Sequence, residues 1–197
     1  MNKKITIVAF SLLLLFSFAV LSKYEDRPAL RNLDFSVTVK VQEGIDKSSH
    51  LRLADFVGNL MEGATFFASP LFSTLMILVL TFLARKNRIV IPVMFLLLVG
   101  GEIIGKSIVH HPAPPFALIK NPTTVFPADY VNEQFSYPSG HAARAVFISL
   151  VMFFILKKRV LVALGLGAYV LLVSVSRIYL GHHWFSDVIG GVALGSA

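Results

Sequence analysis

His183 and Asp187 stand four residues apart, the spacing that puts an imidazole and a carboxylate on one face of a helix. A carboxylate so placed accepts one ring N–H, fixes the tautomer and leaves the other nitrogen free. That nitrogen can attack phosphorus while the carboxylate stabilises the charge growing on the ring. Arg177, shortly before them, ends an apolar run, and its planar fork suits phosphate oxygens. Upstream, Pro138-Ser139-Gly140-His141 sits where an extended loop enters a helix: Ser139 fits an N-cap, Gly140 lets a ligand approach the backbone, and the free N–H groups of the first turn form an anion site. His141 can then protonate a leaving oxygen and later take a proton from water. Each feature also has a plainer reading. Asp187 can cap a helix beside an interfacial His183, Arg177 can snorkel to a membrane surface, and Ser139-Gly140 can be an ordinary cap.

Lys106 offers a point charge to phosphate or snorkels at an interface, and Glu102, one helical turn earlier, is read as its ion-pair partner in preference to a catalytic acid. His110 and His111 suggest a metal pair, but adjacent residues seldom converge on one ion, and no Asp, Glu or Cys stands near them at ligand spacing. No metal and no cofactor is expected. There is no cysteine, so disulfides and thiolate sites are excluded.

The elements that must position these groups lie in a chain of 197 residues that is 55% hydrophobic and 15% charged, with mean hydropathy +0.73. This is the composition of a membrane protein. The net charge of +7 does not point to nucleic acid, because the basic residues sit between apolar blocks and not along an amphipathic face. The predicted fold is an all-α polytopic bundle of about six transmembrane helices: Ile5–Leu21, then 64–84, 89–105, 140–156 and 160–175, and a sixth beginning near Trp184. Only 13 residues follow Trp184, too few to cross a hydrocarbon core of about 30 Å, so the last helix is expected to be truncated. Gly190, Gly191 and Gly195 would let it pack closely.

Residues 1–22 are expected to form an uncleaved first helix or signal anchor, since Phe18–Lys23 lacks a small-x-small cleavage site. Residues 23–63 are expected to be an outer loop. Within it Leu33, Phe35, Val37, Val39 and Val41 alternate with polar residues, whereas Leu51, Leu53, Phe56, Val57 and Leu60 repeat at helical spacing and predict an interfacial amphipathic helix. The turns Lys3-Lys4, Arg85-Lys86-Asn87-Arg88 and Lys157-Lys158-Arg159 are purely basic and by the positive-inside rule face the cytoplasm. All the candidate residues then fall on the outer face of the cell membrane.

Together these residues resemble the type 2 phosphatidic acid phosphatase superfamily, the membrane relatives of the vanadium haloperoxidases. Of its three signatures, Pro-Ser-Gly-His matches at residues 138–141, and the Ser-Arg, His and Asp of the third match at Ser176, Arg177, His183 and Asp187 without a gap. The spacing selects His183 over His182. The first signature, a lysine, six residues and Arg-Pro, is imperfect: from Lys106 it reaches Ala113-Pro114. Losing a charge-assisted phosphate contact costs about 1.5–3 kcal/mol. Arg144, one turn beyond His141, is the candidate to stand in, with His110 and His111 as weaker ones and an ion pair with an acid of the outer loops as the alternative.

The resemblance implies a phosphatase core over residues 64–197 in which His183 is the nucleophile, His141 the acid and then the base, and Asp187 the orienting carboxylate. Lys106, Ser139, Gly140 and Arg177 would hold the phosphate. It implies a metal-independent hydrolase of a lipid phosphate or pyrophosphate, such as phosphatidic acid, phosphatidylglycerol phosphate or polyprenyl diphosphate, with membrane lipids as its other partners. Two alternatives stay open: a catalytically impaired binding or scaffold protein, and a lipid phosphotransferase. A haloperoxidase role does not fit so apolar a chain.

Overall fold

The computed structural model describes residues 3–24, 27–47, 51–84, 88–120, 135–156 and 159–197, with the side chains of 3–8 and 51–55 excepted. Regular structure among them is helical: α1 Lys3–Tyr24, α2 Pro28–Lys47, α3 Leu51–Phe67, α4 Pro70–Leu83, α5 Val90–Ile108, α6 Gly140–Ile155, α7 Val160–Tyr179 and α8 Phe185–Ser196. α5 and α7 are long and apolar enough to cross a membrane, and the bent pair 56–67 with 70–83 reaches that length only when its two halves are taken together; residues 9–24, α6 and α8 are shorter apolar helices. Large apolar side chains point away from the protein on these helices, with Phe82 91%, Leu161 83% and Leu96 68% exposed, which suits a lipid surround. The chain is a membrane protein. The basic turns that predict its orientation lie largely outside the described residues: 85–87 and 157–158 are not described, nor are the side chains of Lys3 and Lys4.

One predicted helix is two. The run 64–84 breaks at Ala68-Ser69, and its halves meet at 53°. Pro70 has no N–H for the preceding turn and is suited to a first helical position, while Ser69 caps α4 by accepting from Phe72 N at 3.4 Å. Hydropathy is continuous across the break and hides it. The break frees the carbonyl of Ala68, which accepts from Arg144 Nε at 3.1 Å.

The alternating stretch 33–41 is likewise helical. The buried stripe of α2 is Asp34, Thr38 and Gln42, at i, i+4 and i+8, a polar line flanked by the partly buried Val37 and Val41. Gln42 donates to the carbonyls of Leu118 and Tyr179 at 2.7 and 2.9 Å, which ties α2 to the end of α7.

α6 is the central helix, packed by α4, α5, α7 and α8. Ala142, Ala143 and Ala145 are fully buried on it, and Gly191 and Gly195 of α8 sit against the Ser139 and Ala143 carbonyls, where a Cβ would overlap. Small residues on both helices let the two backbones meet. Ile77, Leu80, Ile91, Phe95 and Ile148 fill the layer between α4, α5 and α6. On the other side of α8, Tyr137 donates to the Phe18 carbonyl of α1 at 3.0 Å and stacks on the Phe18 ring.

Candidate active site

The C-terminal ends of α5 and α7 and the N-terminal ends of α6 and α8 come together at one end of the bundle, and each brings a residue marked in the sequence. α7 closes with Gly181 at φ 71°, a left-handed conformation that glycine adopts without steric cost. A Cβ there would also overlap the Leu118 carbonyl. The turn folds back so that His182 N and His183 N both donate to Arg177 O, at 3.1 and 3.2 Å. His183 is thereby set just before α8, and Asp187 three residues into it.

Asp187 serves two purposes at once. Its Oδ2 accepts from Trp184 N at 2.8 Å, capping α8, and lies 3.6 Å from His183 Nδ1. The carboxylate that caps α8 is therefore also the one that faces His183. At 3.6 Å the approach to His183 is longer than a hydrogen bond, and Nδ1 is buried with no hydrogen-bond partner among the described residues. His183 itself is buried, and burial, reinforced by the positive charge of Arg177 and Lys106 and opposed by Asp187, pulls its pKa down to about 4. The ring is neutral at pH 7, as a nucleophile requires.

Ser139 caps α6, accepting from Ala142 N at 3.5 Å, and its own N–H donates to Asp187 O at 2.9 Å. The second signature is thus tied by backbone to the third. His141, partly exposed, stands in the electrostatic field of Arg177, Arg144, His183 and Lys106. Arg177 is buried, not snorkelling, and its Nε lacks a hydrogen-bond partner among the described residues. A guanidinium held indoors with an N–H unspent is suited to an anionic ligand.

The Lys106–Glu102 pair expected from sequence is present at 3.8 Å, and Glu102 is shared with Arg144, whose Nη1 lies 2.5 Å from Oε2. Arg144, the expected stand-in for the arginine absent at Ala113, is therefore held by Glu102 and by the Ala68 carbonyl. The glycine at 140 also differs from its expected use. The space its missing Cβ leaves is filled by the Glu102 carboxylate, so Gly140 admits a side chain of α5. Among the described residues no group of three or more His, Cys, Asp or Glu is placed to hold a metal ion.

Two residues of this end take places the sequence did not assign them: Asp34 was not named, and His111 was named only as a metal ligand or a weaker stand-in for the missing arginine. His111, weighed above as a metal ligand, is buried with Nδ1 2.8 Å from Asp187 Oδ1 and Nε2 3.9 Å from Asp34 Oδ2. Asp34 in turn accepts from Ser186 N at 2.8 Å and Ser186 Oγ at 2.7 Å. Burial drives the Asp34 pKa upward, against the two Ser186 hydrogen bonds. The polar i, i+4, i+8 stripe of α2 was the available signal for Asp34; its partner 152 residues away was not.

The model of the PAP2 superfamily matches residues 74–197. Phosphatidylglycerophosphatase B of Bacillus subtilis is 38% identical over 69 residues, covering 31% of this chain and 34% of that protein. An undecaprenyl-diphosphatase of Sulfolobus acidocaldarius is 38% identical over 116 residues, covering 57% of this chain and 52% of that protein. The matched region thus spans about a third to a half of the length of these curated relatives. Among solved structures, the transmembrane PAP2 type phosphatidylglycerolphosphate phosphatase of Bacillus subtilis superposes with a TM-score of 0.68 at 22% identity, over 94% of this chain and 90% of that one. Aquifex aeolicus LpxE superposes with a TM-score of 0.60 at 21% identity, over 83% and 90%.

Proposed function

Because the chain belongs to the PAP2 superfamily, we propose that it is an integral-membrane phosphatase that hydrolyses the phosphate or pyrophosphate of a lipid through a phosphohistidine on His183. The observation that carries this reading is the convergence of His183, Asp187, Arg177, His141 and Lys106 at one end of the bundle, with His183 neutral and cations around it. With its proton on Nδ1, facing Asp187, His183 attacks phosphorus through Nε2. The bond from phosphorus to the leaving oxygen breaks, its electron pair stays on that oxygen, and His141 supplies the proton. Water then attacks the phosphohistidine, His141 takes the water's proton, and inorganic phosphate leaves with His183 restored. Lys106, Arg177, the Ser139 hydroxyl and the Gly140 N–H stabilise the equatorial oxygens, and Arg144 adds positive field while holding Glu102. Positioning and electrostatics supply most of the rate in such a transfer.

A lipid substrate fits the surroundings. A mainly apolar cavity of about 350 Å³ between α4 and α5 is lined by Ile77, Leu78, Phe95 and Leu96, with Glu102 and Arg144 also on its wall. The names of the relatives, a phosphatidylglycerophosphatase and an undecaprenyl-diphosphatase, support the same substrate class. The positive-inside reading of the basic turns supports a site at the outer face of the cell membrane.

The test is release of inorganic phosphate from detergent-dispersed phosphatidic acid and polyprenyl diphosphate, with chelator present, by the native chain and by His183→Ala. Release that survives chelator and vanishes in the variant is expected; equal release by both sinks the assigned nucleophile. Alanine at 113 favours a second reading, a weakened or impaired enzyme. Ala113→Arg raises turnover if the site is a weakened enzyme and leaves it undetectable if the protein is a scaffold.

A further inference from the structure

Asp187 has to be anionic and fixed in one rotamer if it is to orient His183, yet its approach to His183, at 3.6 Å, is too long to hold it there. What holds the carboxylate is on its other side. Oδ1 lies 2.8 Å from His111 Nδ1, while Oδ2 accepts from Trp184 N. His111 is in turn fixed within the loop after α5: its carbonyl accepts from Ser136 N at 2.9 Å, and the neighbouring Pro112 carbonyl accepts from Trp184 Nε1 at 2.7 Å. Asp34 then faces the far nitrogen of the His111 ring at 3.9 Å and grips Ser186, the residue before Asp187, by both backbone and side chain. The four side chains alternate acid and base from α2 to the turn before α8, and all are buried, at 1, 2, 0 and 6% exposure for Asp34, His111, Asp187 and His183.

We propose that His111 and Asp34 are positioning residues for the nucleophile, His111 fixing the carboxylate of Asp187 by donating to Oδ1 and Asp34 fixing the first turn of α8 through Ser186 while its negative charge faces the far nitrogen of His111. The proposal rests on the reading of His183 as the nucleophile. Neither residue is a specified position of the three signatures, His111 falling among the six unspecified residues of the first, and Asp34 lies before the stretch 74–197 that the family model matches. The segment 23–63 therefore contributes to the site through α2.

A positioning role has consequences that a packing role lacks. The phosphate contacts come from Lys106, Arg177 and the Ser139 turn, so loss of His111 acts on the chemical step and leaves substrate binding alone. It also acts on the charge that His183 feels. The groups facing His183 are Asp187 from α8, Arg177 from α7, Lys106 from α5 and His141 from α6. His111 and Asp34 bear on it through Asp187. A donor removed from Oδ1 leaves more of the carboxylate's negative charge for His183 and makes its ring easier to protonate, so the acid limb of kcat/KM moves to higher pH.

The experiment compares the native chain with His111→Ala, His111→Asn, Asp34→Asn and His183→Ala on detergent-dispersed phosphatidic acid, with pH profiles and thermal unfolding of each. Asparagine at 111 can present an N–H close to where Nδ1 does. His111→Ala is expected to lower kcat by about 10 to 100-fold with KM changed less than about threefold. Its acid limb should rise, and His111→Asn should recover most of kcat. Asp34→Asn should give a smaller loss in the same direction. An unchanged kcat and acid limb in His111→Ala overturn the proposal, as does an Asn variant no better than Ala with its acid limb unmoved. If His111→Ala does not fold, Asp34→Asn and His111→Asn decide: native rates and limbs in both overturn it. Full turnover by His183→Ala defeats the nucleophile reading itself, whereas a dead His183→Ala beside an unaltered His111→Ala defeats only this inference.

Discussion

Two buried carboxylates flank the turn that opens α6, and each is shared between two bases. Asp187 lies between the imidazoles of His111 and His183; Glu102 lies between the ammonium of Lys106 and the guanidinium of Arg144. The acids are chemically alike, so the difference lies in what they hold. Imidazoles gain and lose protons near neutrality, which makes the Asp187 side fit for nucleophilic and proton-transfer chemistry. A guanidinium keeps its charge, which makes the Glu102 side a fixed source of positive field and a structural tie between α5 and α6. Sequence neighbourhood alone did not separate these uses.

The comparison breaks most visibly at Asp187. Asp187→Asn keeps the size of the side chain and removes the charge, and kcat is expected to fall by about 10³ to 10⁴-fold with the protein still folded, as read from phosphate release and circular dichroism. Glu102→Ala should instead act on stability. It strands the buried Arg144, and unfolding in detergent should show a loss of about 3–5 kcal/mol, with Glu102→Gln less affected. Loss of stability at Asp187 with activity intact, and the reverse at Glu102, would exchange the two assignments.

A smaller effect sharpens the fixed-field side. Lys106→Ala removes one charge-assisted contact worth about 1.5–3 kcal/mol, so kcat/KM should drop without being abolished. The mildest test is pH. His183 is protonated in the folded site only near pH 4, compared with 6.5 for a free ring, so kcat/KM should stay level well below pH 6 and fall as pH drops through about 4. The same depression makes the unfolded chain bind the extra proton first, so this group's contribution to stability is lost as pH falls from 6.5 towards 4.

Both intact signatures were legible because their geometry is local. The cap by Ser139, the spacing of His183 and Asp187, and the small residues of α8 all act within a few residues or along one helix face. The break at Ser69-Pro70 was written in two residues but masked by unbroken hydropathy, and the alternation at 33–41 concealed a helix whose buried face is polar. The links of His111 to Asp187 and of Asp34 to Ser186 escaped for another reason. The partners lie 76 and 152 residues away, and only the packing of α2 and the loop after α5 against α8 joins them.

The most direct test of the central claim is to trap the covalent intermediate: mix the native chain with phosphatidic acid labelled in its phosphate, quench in alkali within the first turnover, and locate the label by peptide mass spectrometry. A phosphoryl group on His183, absent in His183→Ala, is the predicted result. Turnover with no label on His183, or a label on His141 that persists in His183→Ala, would contradict the account.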